Sequence, residues 1–398
     1  MRLLFLNHNL AGRGTYFRCM GFARELARQG HTVDLWTVSR SVSAAGRWYE
    51  EDGVRIWQTP RWLPPGAHDG GYAPLDNLCR LGAAVWPRWD VIHAFDHRPN
   101  VLLPWLWLKA QSRLLPPAKR PVFLVDWCDW WTAGGITTAR RRWRWIDGIE
   151  QRIEEGQKRM AAGVTVISQP LLQRARSIGI PDARLFLLPA GVDANRFPTY
   201  ERDEARARLS LETEAPLLGF VGFSLWDLAL LADIFAAVRA QRPDAKLAVI
   251  GGGAEESAIG VLRQRFAPQA LVLPGVVPFQ EVATWLGACD MLLLPMENNL
   301  ANRARVPNKL ADYYAAARPV AASDVGDTGR YIREHQTGCV GQDAQALARE
   351  CLTLLEQPQR AREMGKRARA IAARDWAYEN LTQRLTHFYS ELISSTEK

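Results

Sequence analysis

The sequence has no Cys-x-x-Cys pair. Its six cysteines, Cys19, Cys79, Cys128, Cys289, Cys339 and Cys351, lie scattered along 398 residues. That excludes a zinc-finger spacing and a disulfide framework, and predicts a reducing compartment, the cytoplasm. Long apolar runs are missing too. The longest, Val101 to Leu108, meets Lys109 after eight residues, against the roughly 20 that span a bilayer. Met1-Arg2 leads into Leu3-Leu4-Phe5-Leu6 and then into polar Asn7-His8-Asn9, too short for a signal-peptide core. No metal-ligand cluster stands out, so no metal or other cofactor is expected. The Gly12-Arg13-Gly14 turn lacks the third glycine of a dinucleotide fingerprint.

What is present is an ordinary globular composition, 47% hydrophobic and 23% charged, long enough for two domains with separate cores. The net charge of +8 is unevenly placed: residues 1–199 hold 27 Lys+Arg against 17 Asp+Glu, or +10, and the remainder is −2. A basic front half faces an anionic partner, either a membrane or a phosphorylated acceptor, unless the whole composition is simply arginine-rich.

Strand-like runs alternate with helical periodicity throughout. In the front half the strands are Arg2–Leu6, Thr32–Thr37, Val54–Gln58, Asp90–Phe95, Pro121–Asp126, Gly163–Ser168 and Leu185–Pro189. The pattern breaks near Gly191 to Pro198 and resumes with Leu217–Gly222, Lys246–Ile250, Ala270–Leu273, Met291–Pro295, Val320–Ala322 and Cys339-Val340. This predicts an α/β protein of two Rossmann-like, doubly wound parallel-sheet domains, 1–195 and 196–375, facing a cleft at their strands' carboxyl ends. A last amphipathic helix, 376–398, crosses back to the first domain. Gly251-Gly252-Gly253 is read as a turn for close strand–helix packing.

One stretch carries most of the chemistry: Arg305-Val306-Pro307-Asn308-Lys309-Leu310-Ala311-Asp312-Tyr313. Pro307 presets the first turn of a helix starting near Asn308, whose free amides and positive dipole end form an anion site beside Lys309. The competing reading is a solvated helix-start lysine. Asp312 follows one turn later.

Three stretches together resemble a known family. Gly12-Arg13-Gly14-Thr15 with Gly30-His31-Thr32-Val33, Leu188 to Phe197, and Pro307 to Tyr313 followed by Ala317 to Gly326 are similar to GT-B fold glycosyltransferases of the family 4 (group 1) class. The resemblance implies an acceptor domain in front, a nucleotide-sugar domain behind, and transfer of a sugar to a saccharide or lipid-linked acceptor in cell-surface polysaccharide or glycolipid synthesis. It also implies a donor-binding set of Lys309, Asp312, Asn308, Arg305, Gly222, Gly275 and Glu297. The family usually has two glutamates separated by seven residues. Asp312 takes the second position, as a ribose ligand, Ala304 the first, and Glu297 is a displaced candidate. The loop Gly222 to Asp227, where relatives often carry cations, has none, leaving Lys309, with Arg303, Arg305 or Arg330, to neutralise phosphate.

In the front domain the candidate catalytic carboxylates are Asp126 and Asp129, at a strand end and in the loop Trp127-Cys128-Asp129-Trp130-Trp131. Aromatic walls exclude water and raise a carboxylate's pKa. Cys128-Asp129 stands where many relatives have a His-Asp pair. Acceptor contacts are expected from Gly14, Thr15, His97, Arg98 and Arg18, the last facing the cleft from the first helix. The run Arg140-Arg141-Arg142-Trp143-Arg144-Trp145 fits an anionic membrane surface, with a solvated helix face as the alternative; no nucleic-acid fold signature accompanies it. The rival functions are a nucleotide-sugar epimerase or hydrolase on the same fold, and a non-catalytic glycosyltransferase-like partner protein.

Overall fold

Runs of branched and aromatic residues form the strands, and the amphipathic segments between them cover the sheets. A computed structural model describes every residue except 42–43, 63–69, 87, 138–142, 195, 223–224, 252–255 and 397–398, and not the side chains of 144, 225–227, 256–258 and 396. Two compact units result, Met1–Gly191 with Tyr378–Lys398, and Val192–Ala377.

The first unit runs β1 (Arg2–Leu10), α1 (Thr15–Arg28), β2 (Thr32–Val38), β3 (Trp48–Glu51), β4 (Val54–Thr59), α2 (Pro74–Ala83), β5 (Val91–Phe95), α3 (Pro99–Ser112), β6 (Val122–Trp127), α4 (Arg144–Met160), β7 (Gly163–Val166), α5 (Gln169–Ser177) and β8 (Leu185–Leu187). The sheet order is β3-β4-β2-β1-β5-β6-β7-β8. Its pairs are parallel except β3–β4, which is antiparallel. That edge strand escapes sequence reading because all four of its side chains are exposed, leaving no apolar alternation to detect. It is held by cross-strand pairing, Trp48 stacked on Trp57 at 5.8 Å and Glu50 opposite Arg55.

The second unit runs α6 (Arg202–Arg208), β9 (Leu217–Val221), α7 (Leu225–Gln241), β10 (Lys246–Ile250), α8 (Glu256–Arg265), β11 (Leu271–Gly275), α9 (Phe279–Gly287), β12 (Met291–Leu294), α10 (Leu300–Ala304), α11 (Asn308–Ala315), β13 (Val320–Ser323), α12 (Gly326–His335), β14 (Gly338–Gly341), α13 (Ala344–Leu355) and α14 (Pro358–Arg374). Its sheet, β11-β10-β9-β12-β13-β14, is parallel throughout. The final helix, α15 (Tyr378–Thr396), packs in the first unit. Its Leu381, Leu385 and Phe388 join Leu3, Phe5, Phe22 and Leu26 in one buried cluster. Tyr389 meets His93 Nδ1 through its hydroxyl at 2.8 Å, and Tyr378 occupies the space a side chain at Gly21 would need. In each unit the parallel strands share one carboxyl edge, and the candidate residues gather there.

Candidate functional site

In the second unit, α11 starts at Asn308, and Pro307 is its N-cap residue, with an extended ψ of 134° and no side-chain cap. The positive end of the helix dipole therefore lies beside Asn308 and Lys309. Tyr313 fixes the helix against the sheet: its buried hydroxyl accepts from the Val221 amide at 2.9 Å and donates to the Leu293 carbonyl at 3.2 Å. Lys309 Nζ lies 4.2 Å from the centroid of the Phe220 ring and 3.0 Å from where a Cβ on Gly222 would stand. Gly222 has φ +127°, a conformation that glycine alone adopts readily. Side-chain-free backbone at the end of β9 thus lets the ammonium group in.

Asp312 is half-buried one turn further on. Burial pushes its carboxyl up to about 7, with no charged neighbour contributing. Gly275, with φ +74°, accepts the Gly251 amide at 2.8 Å, tying the ends of β10 and β11. Arg305 is half-buried at the C-cap of α10, and Ala304 is fully buried. Glu297 is exposed, and its carbonyl accepts the Asn299 amide and Asn302 Nδ2 at 2.9 and 2.8 Å. Arg330 is paired with Asp327 and Glu334 at 3.1 and 3.2 Å, and Arg303 donates to Asn298 Oδ1 at 2.7 Å. Lys309 is the cation that the fold brings to Gly222. In chemical terms this is an anion seat of one lysine and a helix start, with a carboxyl group able to bond hydroxyls.

The carboxyl ends of β1, β5 and β6 in the first unit enclose a charged cluster. Asp96, just past β5, has φ +88°, and its Oδ1 stands 2.7 Å from His97 Nδ1 while Oδ2 stands 3.6 Å from His8 Nδ1. Burial works against its ionisation, but His8 and His97 outweigh that and hold its pKa far below the usual range. Burial likewise works against a charge on His97, and Asp96 with Glu150, 3.8 Å from Nε2, reverses this and raises its pKa. His8 keeps the opposite sign: burial lowers its pKa in spite of Asp96. Arg98 donates to Glu150 at 2.9 Å and stacks 3.9 Å from the Trp131 ring centroid. Trp131 in turn presents its edge to both histidines at 6.4 Å.

The expected front-domain residues divide between two places. His97 and Arg98 belong to this cluster. Arg18, expected to face outward, is instead buried: its Nε and Nη2 donate to the two oxygens of Asp126 at 2.9 Å, and its Nη groups reach the carbonyls of Leu188 and Pro189. Thr165 also donates to Asp126, at 2.5 Å. Arg18 on α1 and Asp126 on β6 are both buried and must satisfy each other, and Asp126 spends its oxygens on this pair and on Thr165 rather than facing an acceptor. Asp129 is half-buried, 3.7 Å from the Cys128 thiol that donates to it. Burial first, and Asp129 second, push that thiol well above its usual pKa. Gly14 is the N-cap of α1 at φ +52°, held close to Asn9, whose Nδ2 donates to Thr15 at 3.2 Å. Of the basic aromatic run, Arg140, Arg141 and Arg142 lie outside the described residues, as do Asn195, Gly252 and Gly253. Trp143 and Trp145 are exposed.

Sequence reasoning passed over His8, Asp96, Glu150 and Trp131 as site residues. His8 had a signal: Asn7-His8-Asn9 puts three polar residues in a row at the end of an otherwise apolar strand. Glu150 had none, since a glutamate on a charged helix reads as solvent-facing.

Two α/β units, each built on a largely parallel sheet, are what the GT-B class of fold consists of. Family models agree: one described as "Glycosyl transferase 4-like domain" matches residues 13–191, and one described as "Glycosyl transferases group 1" matches 215–357. The chain belongs to the GT-B glycosyltransferases of the family 4 type. It is 28% identical over 237 residues to a GDP-mannose-dependent monoacylated alpha-(1-6)-phosphatidylinositol monomannoside mannosyltransferase of Corynebacterium glutamicum, covering 56% of this chain and 61% of that one. It is 25% identical over 268 residues to a D-inositol 3-phosphate glycosyltransferase of Thermobispora bispora, covering 63% and 59%. Each match thus spans less than two thirds of the relative. Among solved structures, sucrose-phosphate synthase of Thermosynechococcus elongatus superposes with a TM-score of 0.75 at 18% identity over 99% of both chains. HepE of Anabaena in complex with UDP follows at 0.71 and 17%, over 98% of this chain and 100% of that one. At these identities the superpositions establish the fold.

Proposed function

We propose that this protein is a glycosyltransferase that moves a sugar from a nucleotide-sugar donor to a hydroxyl of a saccharide or lipid-linked acceptor, in cell-surface polysaccharide or glycolipid synthesis. The supporting observation is Lys309: its ammonium group closes on the bare backbone of Gly222 beside the uncapped start of α11. A departing nucleoside diphosphate gathers negative charge as the glycosidic bond breaks, and a lysine beside the positive end of a helix stabilises that charge without a metal. In this reading Asp312 takes the ribose hydroxyls, and Asn308, Arg305, Gly222, Gly275 and Glu297 complete the donor side. On the first unit, His97, Arg98, Asp129, Gly14 and Thr15 are the proposed acceptor side. Relatives named for phosphatidylinositol mannoside and inositol phosphate acceptors favour an acceptor of that polarity, used in the cytoplasm at the inner face of the membrane.

Calorimetry with UDP, GDP and dTDP tests the donor seat. One of the three is expected to bind, and Lys309→Ala to weaken it about 10- to 100-fold, the range of a hydrogen bond to a charged group. Binding of none, or near-normal affinity in the variant, would remove the assignment. Ala304 at the first glutamate position and the absence of cations in 222–227 favour a second reading, a non-catalytic partner protein. Turnover of the bound nucleotide's sugar, with product appearing only when acceptor is added, separates the transferase from that reading and from an epimerase or hydrolase.

A further inference from the structure

The geometry points to the outer face of α4 as a docking surface for an anionic lipid bilayer. This helix is built inside out. A surface helix normally turns its apolar stripe inward and its charges to water. In α4, Glu150, Glu154, Glu155, Gln157 and Lys158 are buried, whereas Trp145, Ile149, Ile153 and Met160 are 63%, 47%, 42% and 47% exposed. The exposed set follows helical spacing, three residues four apart and the last two turns further on, so it forms one stripe. Gly148 and Gly156 lie on that side as well: a side chain added to either would touch nothing.

The inward charges explain why the helix is inverted. Glu150 is held by Arg98. Glu154 accepts the Trp127 indole N–H at 2.8 Å and the Thr132 hydroxyl, and Glu155 pairs with Arg174 and Arg159 at 3.5 and 3.0 Å. With one face committed to that network, the apolar residues are left outside, where they lower the free energy only by leaving water.

Charge identifies what covers them. No carboxylate of the helix is exposed: Asp147 is half-buried and the three glutamates are buried. Among the described side chains of the helix the exposed charges are Arg152 and Arg159, and three further arginines, 140–142, precede the helix in sequence. A second copy of the chain, meeting this face across a two-fold axis, would set cations against the same cations. Lipid phosphates complement them. Trp143, 72% exposed, and Trp145 flank the N-terminal end, and indole rings settle at headgroup level. Among the described residues no helix is long and apolar enough to cross a membrane, so the contact lies on the surface. The inference rests on the proposed transfer reaction only for its purpose, bringing the enzyme to a lipid-linked acceptor.

The test is co-sedimentation of the full chain with vesicles of phosphatidylcholine alone or mixed with phosphatidylglycerol. The wild type is expected to sediment with mixed vesicles and to remain in solution with neutral ones. Ile149→Ser/Ile153→Ser, which alters the outer face alone, should weaken vesicle binding about tenfold or more, and Arg152→Gln about fivefold, both with unchanged circular dichroism melts. Sedimentation of these variants like wild type, or equal binding to neutral vesicles, would overturn the inference. So would a wild-type dimer that the double serine variant converts to monomer, which would put a second copy on the face. Nucleotide calorimetry on the same samples reports separately on the donor seat, so either reading can fail without the other.

Discussion

Asp312 makes a prediction whose sign depends on pH. Its carboxyl is raised from 3.8 to about 7 by burial, so the folded state holds a proton that the unfolded chain has already released above pH 4. A raised acid opposes folding once the unfolded form ionises: the cost is absent below 3.8, grows through the interval, and is complete above 7. At 1.36 kcal/mol per pH unit, the cost is about 2 kcal/mol at pH 5 and about 4 kcal/mol at pH 8. These are upper bounds, because a half-buried carboxylate recovers some hydration. Asp312→Asn keeps the shape and removes the ionisation. It should therefore raise the urea midpoint of the second unit clearly at pH 8, by less at pH 5, and weaken nucleotide binding at both. The measurement is urea unfolding followed by circular dichroism at the two pH values. A stability difference that does not grow with pH would show that Asp312 is hydrated in the folded protein. A gain in stability with unchanged nucleotide affinity would remove it from the ribose site.

Gly222→Ala forces a side chain into φ +127° and against Lys309 Nζ. It should cost about 1–3 kcal/mol in urea unfolding and weaken nucleotide binding, and wild-type affinity in that variant would exclude Gly222 from the donor seat. Arg18→Met leaves Asp126 charged and buried, and should cost about 3–5 kcal/mol, most of it recovered in Arg18→Met/Asp126→Leu. A single variant as stable as wild type would mean that the pair does not form in solution.

The backbone of the fold was legible because its strands are short apolar runs of the kind a parallel sheet buries on both faces. Leu3-Leu4-Phe5-Leu6 and Met291-Leu292-Leu293-Leu294 announce themselves. β3 did not, since Trp-Tyr-Glu-Glu carries no pattern and becomes a strand only through its partner. The start of α11 was legible for a different reason: Pro-Asn-Lys is a local signal, read without knowing what lies nearby. The first-unit site depends on contacts between residues far apart in sequence, Arg18 with Asp126 and Arg98 with Glu150. A lone arginine on a predicted helix gives no hint that it will point at a buried carboxylate more than a hundred positions away. The same limit hid the inversion of α4. Which face turns inward is decided by Arg98, Trp127 and Arg174, none of them in the helix.

The departures of this chain from the pattern of the family it resembles fit together if α11 is the donor helix, as proposed. In the proposed reading, a loop without cations after β9 leaves the diphosphate to a single lysine, and a single cation must be close and well held. Three features achieve that. Gly222 removes the side chain that would keep Lys309 away, the Phe220 ring supports its ammonium group from one side, and Tyr313 bonds α11 to two strands. Aspartate at 312 in place of glutamate belongs to the same logic, because its shorter arm keeps the carboxyl near the helix. There burial leaves it poised between neutral and charged close to physiological pH. A glutamate there would reach further into solvent and titrate nearer its usual value. Asp312→Glu should accordingly lower the apparent pKa of nucleotide binding toward that of an exposed carboxylate, and an unmoved pH profile of affinity for the nucleotide that binds would show that the shorter arm is incidental.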